Sequence, residues 1–130
     1  MNPKLKDELF QTIFNAAQEK GEKAANKCTP TPMVVQQHES PLNDNSKVIQ
    51  SWHVDGGVCG FAWVVITPGT CSFARWLSKH RLGGKNYYGG VSIYIHGYGQ
   101  SYERKMSHAA AMANYLNEVG INARADGRLD

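Results

Sequence analysis

Leu5, Leu9, Phe10, Ile13, Phe14 and Ala17 fall on one stripe at helical spacing, so the chain opens with an amphipathic helix. Asn2 is a capping residue and Pro3 suits the first helical position; the helix is expected to fade between Gly21 and Lys27. Thr29-Pro30-Thr31-Pro32 then favours extended backbone, and Met33 to Val35 reads as a short strand. His38 to Ser46, with Pro41, Asn43, Asp44 and Asn45, is polar and turn-rich and predicts a flexible loop.

Beyond it the period shortens. Val48 to Val54 and Val58 to Thr67 are β-rich runs joined by Asp55-Gly56-Gly57, which predicts a hairpin. Val58 to Ile66 is apolar on both faces, as an interior strand covered on both sides would be. Pro68-Gly69-Thr70 turns the chain into a second helix from about Cys71 to Arg81, with Phe73, Trp76 and Leu77 inward and Gly83-Gly84 as its stop. Val91, Ile93 and Ile95 alternate with Ser92, Tyr94 and His96, a strand with one polar face. Ser101 caps a third helix that runs to about Val119, with Met106, Ala109, Ala110, Ala113 and Leu116 as its inner stripe. A last strand covers Ile121 to Ala125. This order predicts one α+β domain over residues 1–130, a mixed sheet of four to five strands with two or three helices packed on it. Two successive strand–helix–strand crossovers predict some parallel pairing.

Composition bounds the setting. At 130 residues, 42% apolar and 19% charged, the chain is long enough for one core and unlike a disordered segment. No apolar run approaches the roughly 18 residues of a membrane helix. Lys4, Lys6, Asp7 and Glu8 stand where a secretory leader would be apolar, so a cytoplasmic protein is expected. Three cysteines without a Cys-x-x-Cys point to reduced structural thiols, to no metal site, and to a buried, unreactive Cys59.

The net charge of +3 says little about partners, but its distribution says more. Between Asp55 and Glu103 there is no acidic residue, while Arg75, Lys79, Arg81 and Lys85 fall in that interval. Nine of the 13 aromatic residues lie there too. Aromatic faces among cations suit single-stranded nucleic acid or a nucleotide. The sharpest local feature is Gly97-Tyr98-Gly99-Gln100-Ser101-Tyr102-Glu103-Arg104-Lys105, a glycine-bearing turn that enters a helix with two cations in its first turn. Free helix amides attract phosphate. Arg104 is the expected direct contact and Lys105 a longer-range one, with Ser101 at the cap and Tyr98 and Tyr102 stacking on or covering the ligand. Tyr88, before a strand, and Arg128, in the last segment, could join them. The competing reading is that the glycines only make the turn and the cations face water. Phe61, Trp63, Phe73 and Trp76 are expected in the core. His53 and His96, near predicted strand ends, could pair as acid and base with Tyr94 if their strands were neighbours. No nucleophile–base pair and no cofactor motif is present.

Thr31 to Val35, Gly57 to Val64, Phe73 to Leu77, Tyr88 to Val91, Gly97 to Lys105 and Gly127 to Asp130 resemble a family of small tailed-phage and prophage proteins. The similarity covers about three-quarters of the chain. It implies a phage origin and a host-cytoplasm setting. The family has no established activity, so no functional residue follows from it. Three functional classes are left: a small phage-type accessory protein binding a phosphate-bearing ligand (a nucleotide or single-stranded nucleic acid), an interaction module acting on a host protein, and a small His/Tyr enzyme. A tyrosine-rich surface also suits a homo-oligomer contact.

Overall fold

The first helix, α1 (Pro3–Lys27), starts as its sequence dictates: Asn2 Oδ1 accepts the Lys4 N–H at 2.8 Å and Pro3 occupies the first position. It ends at Lys27, the far limit of the expected interval. It runs that far because packing holds it against α3 (Tyr102–Glu118), with Ala17, Gly21 and Ala25 buried. Gly21 lies at the closest approach: a Cβ there would stand 2.4 Å from His108 Cδ2. The computed structural model describes residues 2–29, 33–38, 48–54, 59–99 and 101–130. The expected turn at Asp55 to Gly57 and all of the expected loop beyond His38 lie outside the described residues.

β1 (Met33–His38) and β2 (Val48–Val54) pair antiparallel in a ladder of their own, with Met33 opposite Val54. Among the described residues β2 pairs with β1 and not with β3, against the predicted hairpin. The main sheet has the order β4 (Gly84–Lys85), β5 (Val91–Tyr94), β3 (Gly60–Ile66), β6 (Ala123–Leu129). Together with α2 (Ser72–Lys79) these elements make an α+β fold, and β3 is interior as its two-sided apolar sequence predicts.

Every pairing in that sheet is antiparallel, against the expected parallel component. The two crossovers exist, but each skips a strand. β3–α2–β4 passes over β5, and β5–α3–β6 passes over β3, so each parallel pair has an antiparallel strand between its members. The two-residue β4, too short to read from sequence, creates this arrangement. It turns at Asn86 to Gly90 and feeds β5 back beside β3.

The helices cover one face of the sheet. Ala62, Val64 and Ile66 of β3, Ile93 and Ile95, and Ala123 of β6 pack against Phe73, Leu77, Ala109, Met112, Ala113 and Leu116. On α3, His108 and Met112 turn inward and Ala110 is exposed, a shift of the predicted stripe. The other face follows from strict alternation. It carries Phe61, Trp63 and Val65 on β3, Ser92 and Tyr94 on β5, and Arg124, Asp126 and Arg128 on β6. Cys59, at the start of β3, is half-buried rather than enclosed. No helix among the described residues is long and apolar enough to cross a membrane.

Candidate functional site

The residues expected to bind phosphate are brought only partly together. Ser101 is the α3 cap: it is buried, its hydroxyl accepts the Arg104 N–H at 3.3 Å, and it bridges to Cys59. One helix amide is thereby already satisfied from within the chain. Arg104 itself is exposed. Tyr102 does not stack outward. Its ring lies over the bare backbones of two glycines, since a Cβ at Gly60 would stand 2.7 Å from Tyr102 Cδ2 and one at Gly127 2.9 Å from Tyr102 Cε2. Those glycines let the start of α3 settle on β3 and β6.

Tyr98 is also turned into the packing. It is a non-glycine at φ 60, between Gly97 (φ 89) and Gly99 (φ 58), in a left-handed turn that costs a side-chain-bearing residue about 1–2 kcal/mol. Its hydroxyl donates to His108 Nδ1 at 2.8 Å, and that bond secures the turn to the core. His108 Nε2 donates to Gln18 Oε1 at 2.8 Å, which fixes the ring proton on Nε2. Burial holds the His108 ring below the usual imidazole range, opposed by Glu22, and burial followed by Glu22 pushes the Tyr98 phenol up. Tyr88 is far from all of these. It sits at the tip of the β4–β5 turn, where Val91 pairs with Ile66, whereas α3 begins at the Gly60 end of β3. The seven residues of β3 separate the two by about 20 Å.

What does converge is a different set. Lys105 is buried and bends back, so that Nζ donates to the Gly60 carbonyl at 3.1 Å and stands 5.4 Å from the Phe61 ring centroid. Arg128, paired with Phe61 across β3 and β6, puts its guanidinium 5.7 Å from the same ring. Phe61 is 40% exposed. The Tyr94 and Trp63 rings lie 5.7 Å apart at 45°, and Tyr94 is 53% exposed. Trp63 Nε1 is buried with no hydrogen-bond partner among the described residues. Beyond the end of β5 a hollow of about 370 Å³ is lined by Phe61, Tyr94, His96, Gly97, Gly99 and Lys105. The expected core placement of Phe61 is thus corrected: the strand is interior and Val65 is buried on this face, but Phe61 near the start of the strand is partly exposed. The signal was in the sequence. Gly60, Ala62 and Val64 are small enough to lie under an alanine-rich helix, which leaves the larger Phe61 and Trp63 to the opposite face.

The His53–His96 pairing fails at the level of strands, because β2 is not in the sheet that holds β5. Among the described residues no three His, Cys, Asp or Glu side chains gather as a metal set. A second basic hollow, about 260 Å³, lies between α1 and α2, where Lys6, Arg75 and Lys79 surround Asp7. Asp7 accepts from Trp76 Nε1 at 2.7 Å and pairs with His80 at 2.9 Å; the indole hydrogen bond first, then His80 and Lys79, hold its carboxyl below the usual range. That carboxylate ties two helices together and would repel an anion. No family model matches the chain, and no curated protein or solved structure matches it either, so the functional reading rests on this site and the phage resemblance stands as an expectation.

Proposed function

We propose that the exposed aromatic patch around Phe61 and Tyr94, on the sheet face away from the helices, binds single-stranded nucleic acid, with bases stacked on these two rings and phosphates met by Arg128 and Lys105. The observation that carries this is Phe61: a large ring, 40% exposed on an interior strand, with two cations within 6 Å of its centroid. An exposed aromatic side chain there gains nothing from core packing. A base stacked on it would bury that surface, and the adjoining cations would neutralise the phosphates that accompany it. Trp63 beneath Tyr94 stiffens the platform. A duplex hides its base faces, so single strands are the expected ligand.

The test is a titration of wild type, Phe61→Ala and Tyr94→Ala with a single-stranded oligonucleotide and its duplex at two salt concentrations. Wild type should prefer the single strand, and each substitution should cost about 1–3 kcal/mol, roughly fivefold to a hundredfold in affinity. Affinity should fall with salt by a log–log slope of about 0.7 per phosphate contacted. An affinity unchanged in Phe61→Ala would remove the sheet face from the binding site.

A protein-interaction module is the second reading, favoured by Tyr87 and Tyr88. They are 91% and 87% exposed at a hairpin tip, with their rings 5.0 Å apart. Exposed tyrosines of this kind are common anchors for a partner protein. Their replacement should leave oligonucleotide affinity unaltered.

A further inference from the structure

Lys105 is 7% exposed, yet among the described residues one of its three ammonium donors is used, on the Gly60 carbonyl. The described ion pairs lie elsewhere, at Lys23–Glu19 and Asp7–His80. Among the described residues no carboxylate pairs with it, and a buried cation is less costly where an anion completes it. The hollow that Lys105 lines gives that anion a place. The end of β5 and the turn after it supply part of its lining. β5 ends at Tyr94, the Ile95 N–H closes on the Ala62 carbonyl, and the chain then rises through the left-handed turn at Gly97, Tyr98 and Gly99. That turn is held to the core through Tyr98 and His108. Gly97 and Gly99 of that turn line the hollow.

We infer that this hollow takes a terminal phosphate monoester, the phosphorylated end of the strand whose bases the sheet carries; the strand itself rests on the function proposed above. A phosphodiester inside a strand needs an exit on both sides of the hollow. A chain end needs one. A monoester carries a charge of about −1.5 to −2 at neutral pH, against −1 for a diester, and offers three acceptor oxygens to the spare Lys105 donors and to His96 on the rim. The same chemistry is present in a nucleoside monophosphate, so the test must separate the two sources.

One oligonucleotide sequence is prepared with hydroxyl ends, with a 5′-phosphate and with a 3′-phosphate, and titrated beside a nucleoside monophosphate. One phosphorylated end should bind roughly tenfold to a hundredfold tighter than the hydroxyl-ended strand, the gain of a charge-assisted contact, and Lys105→Gln should erase that gain. Equal affinity for all three ends in wild type would overturn the inference while leaving the sheet reading intact, whether or not the variant folds. A monophosphate bound through Lys105 with no oligonucleotide bound would support the hollow and remove the strand. If no probe binds, both proposals fall.

Discussion

Lys105 and His108 stand one turn apart on α3, and both are buried, but their surroundings differ in kind. His108 has a partner on each ring nitrogen, Gln18 from α1 and Tyr98 from the turn before α3. Lys105 uses one donor of three and leans against an exposed ring. A buried polar group with every valence satisfied joins elements of the fold. One with donors to spare, next to a hollow, is where the proposed ligand would be met. The two regions therefore predict opposite consequences of mutation: large in stability and small in binding at His108, and the reverse at Lys105.

His108→Ala is the largest expected effect. It leaves the Tyr98 hydroxyl and Gln18 without their partner, opens a cavity between α1 and α3, and releases the strained turn at Tyr98. An unsatisfied buried group costs about 1–3 kcal/mol, and the cavity adds to it, so a loss of about 3–4 kcal/mol is expected in urea unfolding. A loss under about 1 kcal/mol would mean that His108 does not join the two helices. Lys105→Met should behave otherwise. It removes the bond to the Gly60 carbonyl but also the cost of a buried charge, so the net change should stay within about 1 kcal/mol. A strong destabilisation by Lys105→Met would make Lys105 structural and close the distinction.

How much of this could be read beforehand differs between the regions. The helices, the Ser101 cap and the interior position of β3 follow from local periodicity and capping chemistry, which act within a few residues. The sheet order does not, because a two-residue strand at Gly84 and Lys85 decides that both crossovers skip a neighbour. The run from Gly97 to Lys105 was conspicuous for its glycines and cations. Its side chains point where tertiary contacts send them: Tyr98 to His108, Tyr102 onto two glycines, Lys105 back to Gly60. Phe61 and Trp63 looked like core because they lie in an apolar run. Only the covering of one sheet face by helices shows which half of that run faces away from them, with Phe61 partly exposed.

The smallest expected effect concerns the same Tyr98–His108 bond and is read through pH. Burial lowers the pKa of His108 from its ordinary 6.5 and raises that of Tyr98 from 10.0. As pH falls through about 6.5, the unfolded chain takes up a proton that the folded His108 still refuses, so stability declines until the folded pKa is reached. As pH rises through about 10, the unfolded chain releases the phenolic proton that the folded Tyr98 keeps, and stability declines again. The bond should thus contribute in full between those two limits and weaken on either side. Urea midpoints from pH 5 to pH 11 measure this, with Tyr98→Phe as the reference because it removes the phenol and leaves the ring. The wild-type advantage over Tyr98→Phe should be flat across the middle of the range and shrink above about pH 10. An advantage that persists unchanged to pH 11 would show that Tyr98 titrates as an exposed phenol does, and that the turn closing the Lys105 hollow is not held by His108.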